Sequence, residues 1–91
     1  MSFHLEIRDI FEIRGRGIVV LGTIESGAVR VGDELQLSSG ATSRLVVVAS
    51  IEKFQAPGLL VAVAGPDDVG LGISGIDREH VHVGDLLVSV R

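Results

Sequence analysis

Apolar residues in this chain come in short alternating or β-branched runs, each cut off by glycine, proline or aspartate, and no window sustains a helical period. Phe3, Leu5, Ile7, Phe11 and Ile13 alternate with His4, Glu6, Arg8 and Glu12, the period of a half-buried strand. Ile10 breaks that phase, which predicts a bulge or bend nearby. Gly15-Arg16-Gly17 then punctuates and Ile18 to Ile24 resumes as strand, so residues 5–24 read as a hairpin or strand pair. Extended segments follow at Glu34–Leu37, Ser43–Phe54, Leu59–Ala64, Val69–Ser74 and Leu86–Val90, with interruptions at Ser26-Gly27, Ser38–Gly40, Ala56–Gly58 and Gly65–Asp68. A single helical turn is predicted within Gly75–His80, with Asp77 placed to cap it. Many short strands with frequent turns mean a sandwich or a closed barrel.

At 91 residues the chain reads as one domain, residues 1–91. Aromatic residues are only 3%, so its core has to be built from Val, Ile and Leu, which suit pleated strands. The absence of cysteine excludes a disulfide framework, a thiolate metal site and a cysteine nucleophile, and fits a cytoplasmic protein. The first ten residues alternate polar with apolar, unlike a signal peptide, and the longest apolar runs fall far short of the ~20 residues that span a bilayer. No membrane partner is therefore expected. Net charge is −4 with the eight basic residues spread along the chain, which disfavours DNA and any sequence-blind grip on phosphates. A shaped pocket for one RNA feature stays open, because such recognition rests on stacking and shape.

The motifs that carry chemistry are weak. Arg14-Gly15-Arg16-Gly17 resembles a phosphate-gripping loop, but Gly17 leads into Ile18-Val19-Val20 and not into a helix whose free N–H groups could meet an anion. The turn reading is preferred, with Arg14 and Arg16 solvated at its tip. Gly72-Ile73-Ser74-Gly75 approaches a nucleophile elbow, but its second glycine falls one place early. His80 and His82 have carboxylates nearby but no third histidine, so they are read as solvated residues and no metal is expected. Asp67 and Asp68, beside Pro66 in a loop, are read as ionised in water, not as an acid–base pair. No catalytic constellation and no cofactor emerge. Val29–Leu35 and Val81–Leu87 share the pattern V-x-V-G-D-x-L, read as one turn device used twice to launch a strand.

Taken together, FEIRGRGIVVLGTIESG at residues 11–27, VRVGDELQL at 29–37, IEKF at 51–54, Ala64-Gly65 with Asp68-Val69-Gly70, and GIDRE at 75–79 through Val83-Gly84-Asp85 resemble the second domain of translational GTPases, the β-barrel of elongation factor Tu and its relatives. The resemblance covers about residues 5–90. It implies an all-β fold, a closed antiparallel β-barrel of six or more strands. It implies no enzyme activity, since GTP chemistry in that family belongs to a separate domain. It also implies contact with the aminoacylated 3′ end of tRNA or with the ribosome. By resemblance the RNA- or ligand-binding residues are Glu52, Phe54, Asp68 and Val69: Glu52 as a wall against the terminal adenine, Asp68 as a hydrogen-bonding partner for the aminoacyl group. Asp68 stands where the family usually has asparagine, and Thr23, Gln55 and Ser74 stand where basic residues are common. These departures remove attraction for phosphates.

Two functions are carried forward. The first is a noncatalytic module that docks to tRNA, the ribosome or another translation component through the Glu52 to Asp68 side. The second is a protein-interaction or self-association module that has lost RNA binding and pairs through an edge or an apolar patch at Leu59, Leu60 and Val61, or a domain of a larger translational GTPase.

Overall fold

The computed structural model describes residues 2–53 and 56–90. Ten strands follow in order: β1 (His4–Glu6), β2 (Asp9–Ile13), β3 (Gly17–Ser26), β4 (Ala28–Arg30), β5 (Glu34–Ser39), β6 (Thr42–Lys53), β7 (Ala56–Leu59), β8 (Val61–Val63), β9 (Asp68–Ser74) and β10 (Leu86–Ser89). Six of them close a barrel in the order β1-β10-β5-β6-β9-β3, with β3 returning to β1, and every pairing is antiparallel. The expected closed antiparallel barrel of six or more strands is therefore present. Strand β2 forms a hairpin with β3, β7 pairs with β6, and β4 and β8 make a separate two-stranded ribbon. Leu5, Ile7, Val20, Ile24, Leu37, Val46, Val48, Ile51, Leu71 and Leu87 fill the interior together with the buried Phe3.

Three local expectations change. The break near Ile10 is real, but it flips the face: Phe3, Leu5 and Ile7 are buried, Ile10 packs against the core, and Phe11 and Ile13 stand on the outside. Period-two alternation restarts after the break with one extra residue, so side chains beyond it point the other way. Residues 56–58 do not interrupt the sheet but belong to β7. A 3-10 turn does form at Arg78–His80, but Asp77 makes no side-chain cap to it; the Val81 N–H closes the turn onto the Arg78 carbonyl instead.

The barrel repeats itself about a two-fold axis. Leu35 pairs with Val46 and Glu34 with Val47 where β5 meets β6. In the same way Leu87 pairs with Leu5 and Leu86 with Glu6 where β10 meets β1. Farther along, Ile51 opposes Leu71 and Glu52 opposes Gly70, matching Ile10 opposite Val20 and Phe11 opposite Val19. The β6–β9 ladder shifts register between Val48 and Ser50, and the chain between β1 and β2 breaks at the corresponding place. Thus β1 and β2 together correspond to β6, β3 to β9, and β5 to β10. The axis passes through the directly opposed pair Val20 and Leu71.

The repeated V-x-V-G-D-x-L device anchors both halves. Asp33 Oδ2 accepts the Arg30 N–H and Asp85 Oδ2 the His82 N–H, each at 2.8 Å. Gly32 and Gly84, at φ 96° and 97°, take the left-handed conformation that an L side chain resists. Each glycine then donates to a backbone carbonyl, Gly32 to Val48 in β6 at 2.8 Å and Gly84 to Ile7 just after β1 at 2.7 Å. The following aspartate carbonyl accepts the N–H of that same residue, at 2.9 Å in both halves. Each turn is thereby stitched to the strand that runs beside it.

Candidate functional site

Where the axis leaves the barrel, β2, β3, β9 and β6 lie side by side and present an outer face. Their registers line up two rows across it: Phe11, Val19, Gly72 and Ser50 in one, and Asp9, Leu21, Gly70 and Glu52 in the next. The β3 positions carry Val19 and Leu21, whereas their β9 counterparts are the glycines. A face with side chains on one flank and bare backbone beside it has a trough, here a groove of about 420 Å³ lined by Phe11, Ile13, Val19, Leu21, Glu52, Lys53, Asp68 and Gly70. The apolar wall comes from β2 and β3, and the charged wall from β6 and the start of β9. A second hollow of about 380 Å³, bounded by Lys53, Ala56, Asp67 and Asp68, continues from the charged end.

Two ion pairs frame the groove. Arg16 extends from the β2–β3 turn, where Gly15 and Gly17 have φ 81° and 84°, and its Nη2 reaches Glu52 Oε2 at 2.6 Å, with Ser50 Oγ 3.5 Å away. This corrects the expectation that Arg16 is merely solvated at the turn tip; Arg14 is exposed there. Arg8 pairs with Asp68, and the Thr23 hydroxyl donates to the same Asp68 Oδ1 at 3.0 Å. Asp68 is thus the first residue of β9, held from two sides, and not part of a free loop as the sequence implied.

Of the residues expected to bind, Glu52 and Asp68 meet in the groove. Val69 lies between them in the ladder, paired with Gly22 on one side and Lys53 on the other, but its side chain is in the core and only its backbone borders the site. Phe54 falls outside the described residues. Sequence reasoning missed Phe11, Ile13, Val19, Leu21, Arg16 and Gly70. One signal was available: a glycine inside a strand pattern marks a close approach of backbone or ligand.

The arrangement suits recognition more than reaction. Phe11, 47% exposed, offers an aromatic face, and the aliphatic wall and a glycine floor leave a slot for a flat apolar group with polar edges. Elsewhere, His80 Nε2 lies 3.6 Å from Glu79 and His82 Nδ1 3.7 Å from Asp85, each histidine with its own carboxylate. A larger hollow of about 460 Å³ between Ser43–Leu45 and Gly75–His80 is walled by exposed and half-buried side chains, with no Phe, Tyr or Trp among them.

Comparison with known proteins gives a consistent relationship. The family model described as elongation factor Tu domain 2 matches residues 17–88. The apo crystal structure of translation elongation factor SelB from Methanococcus maripaludis superposes with a TM-score of 0.85 at 38% sequence identity, over 98% of this chain and 18% of that chain. The present chain therefore spans under one fifth of the length of that relative.

Proposed function

The chain belongs to the elongation factor Tu domain 2 family, and on that premise we propose that it is a binding module of the translation apparatus whose groove receives the terminal adenine of an aminoacylated tRNA 3′ end. Domain 2 of translation factors is a non-catalytic domain. The observation that carries the reading is the convergence of Phe11, Val19 and Leu21 opposite Glu52 and Asp68 around one groove. A base stacked on an aromatic side chain is held by about 1–3 kcal/mol, and recognition of one splayed-out base can rest on stacking and shape more than on total charge. That fits a chain of net charge −4. Glu52 then acts as the edge-on wall and Asp68 faces the aminoacyl group, in a cytoplasmic setting. Filter binding of charged and uncharged tRNA over a salt series tests this: saturable binding that weakens on Phe11→Ala supports it, and no saturable binding at low salt overturns it.

One observation favours a protein-interaction role beside this. The β4–β8 ribbon exposes Val61 and Val63, and Val31 and Leu60 at its end are exposed too, with Leu60 at 73%, whereas Leu59 packs against the core. A contact at this ribbon, with a second copy or another domain, is the alternative reading. Sedimentation of a strict monomer at high concentration removes its self-association form.

A further inference from the structure

Every interior glycine of a strand weakens it, so each needs a reason to be there. Five glycines lie in strands, and for four of them that reason is local, Gly58 in β7 taking a positive φ of 75°. A Cβ at Gly22 would overlap the Glu6 carbonyl oxygen, and one at Gly72 would overlap Ser50 Oγ, which would have to turn away. Gly17 takes a positive φ at the hairpin turn. Gly70 has no such reason. Its φ is not in the left-handed region, and an added Cβ would meet only Val19 Cγ1 at 3.5 Å and the Glu52 carbonyl oxygen at 3.7 Å, ordinary van der Waals contacts. The two-fold axis sharpens the point, because the equivalent place on β3 holds Val19. The fold thus accepts a branched side chain at this position in one half and has none in the other.

We infer that Gly70 is a specificity-determining residue of the groove: its missing side chain lets a planar base lie flat over the backbone of β9, between the Phe11 wall and Glu52. This rests on the nucleobase reading above and names the feature that selects a flat ligand. A side chain at position 70 rises into the groove and lifts the ring off its floor. The space vacated on β9 and the bulk retained on β3 also fix which way round the ring enters, since the two halves otherwise present equivalent backbone.

The test uses a short single-stranded RNA ending in a 3′ adenosine, and the same RNA ending in uridine, titrated by fluorescence anisotropy into the full chain. Gly70→Ala and Gly70→Val are compared with Gly65→Ala, a loop position whose added Cβ meets only the Val63 carbonyl oxygen at 3.9 Å. The expected result is a loss of about tenfold or more in affinity for the adenosine-ended RNA with Gly70→Val, an intermediate loss with Gly70→Ala, and none with Gly65→Ala. Melting temperatures of both position-70 variants stay level or rise, which separates a blocked groove from a damaged barrel. Unchanged affinity in Gly70→Val beside a binding wild type overturns this inference and leaves the nucleobase reading standing. A wild type that binds neither RNA overturns both. If Gly70→Val unfolds, the fold does not accept a branched side chain there and the inference is also overturned.

Discussion

Arg16 and Glu52 lie 36 residues apart in sequence and 2.6 Å apart in space, joined across the rim of the groove. Their side chains are 42% and 31% exposed, so water screens the pair and its contribution to folding is about 1 kcal/mol at most. Arg16→Ala is expected to leave the urea midpoint nearly unchanged. It frees the Glu52 carboxylate to swing, and so weakens binding of an adenosine-ended RNA severalfold. Equilibrium denaturation beside an anisotropy titration checks both halves of this statement.

Asp68 engages Arg8, and so neutralises a cation that would otherwise face the groove. Asp68→Asn is expected to release Arg8 toward an RNA phosphate and to steepen the dependence of log K on log salt by about one unit. The measurement is the slope of a salt titration, and an unchanged slope counts against a phosphate near Arg8.

Asp33 and Asp85 perform the same capping bond at 2.8 Å, but Asp85 is 7% exposed and Asp33 half-buried. Removing an acceptor from a buried N–H costs about 1–3 kcal/mol, and more where water cannot replace it. Asp85→Ala is therefore expected to destabilise the barrel more than Asp33→Ala, by chemical denaturation under the same conditions.

The Ser39–Thr42 hairpin turn, with Gly40 at φ 61°, connects β5 to β6. Under the two-fold operation β5 to β6 becomes β10 to β1, and those strands already pair, His4 opposite Val88. A circular permutant opened between Gly40 and Ala41, with a short glycine-containing turn joining residue 91 to residue 1, is expected to fold to the same barrel. An amide correlation spectrum that superposes on the parent away from the new junctions is the check.

Much of this was legible from the residues. Strand content, the β2–β3 hairpin, the paired V-G-D turns and the closed barrel follow from alternation, turn chemistry and family resemblance. The faces of Phe11 and Ile13 did not, because periodicity carries no information across a one-residue break, and the extra residue reverses everything after it. Pro57 and Gly58 hid β7, a short strand that pairs with β6. Arg16 read as solvent-exposed because its partner is distant in the chain. Glu52 and Asp68 were found by resemblance, whereas the rest of the groove needed the register of four strands to assemble it.

The seam position of the groove bears on how such a surface changes over time. Two lining positions have counterparts in the other half that hold a different residue: valine against glycine at 19 and 70, phenylalanine against glutamate at 11 and 52. One wall can be rewritten while its opposite number keeps the scaffold shut, so new ligands can be accommodated by breaking resemblance between the halves, without rebuilding either.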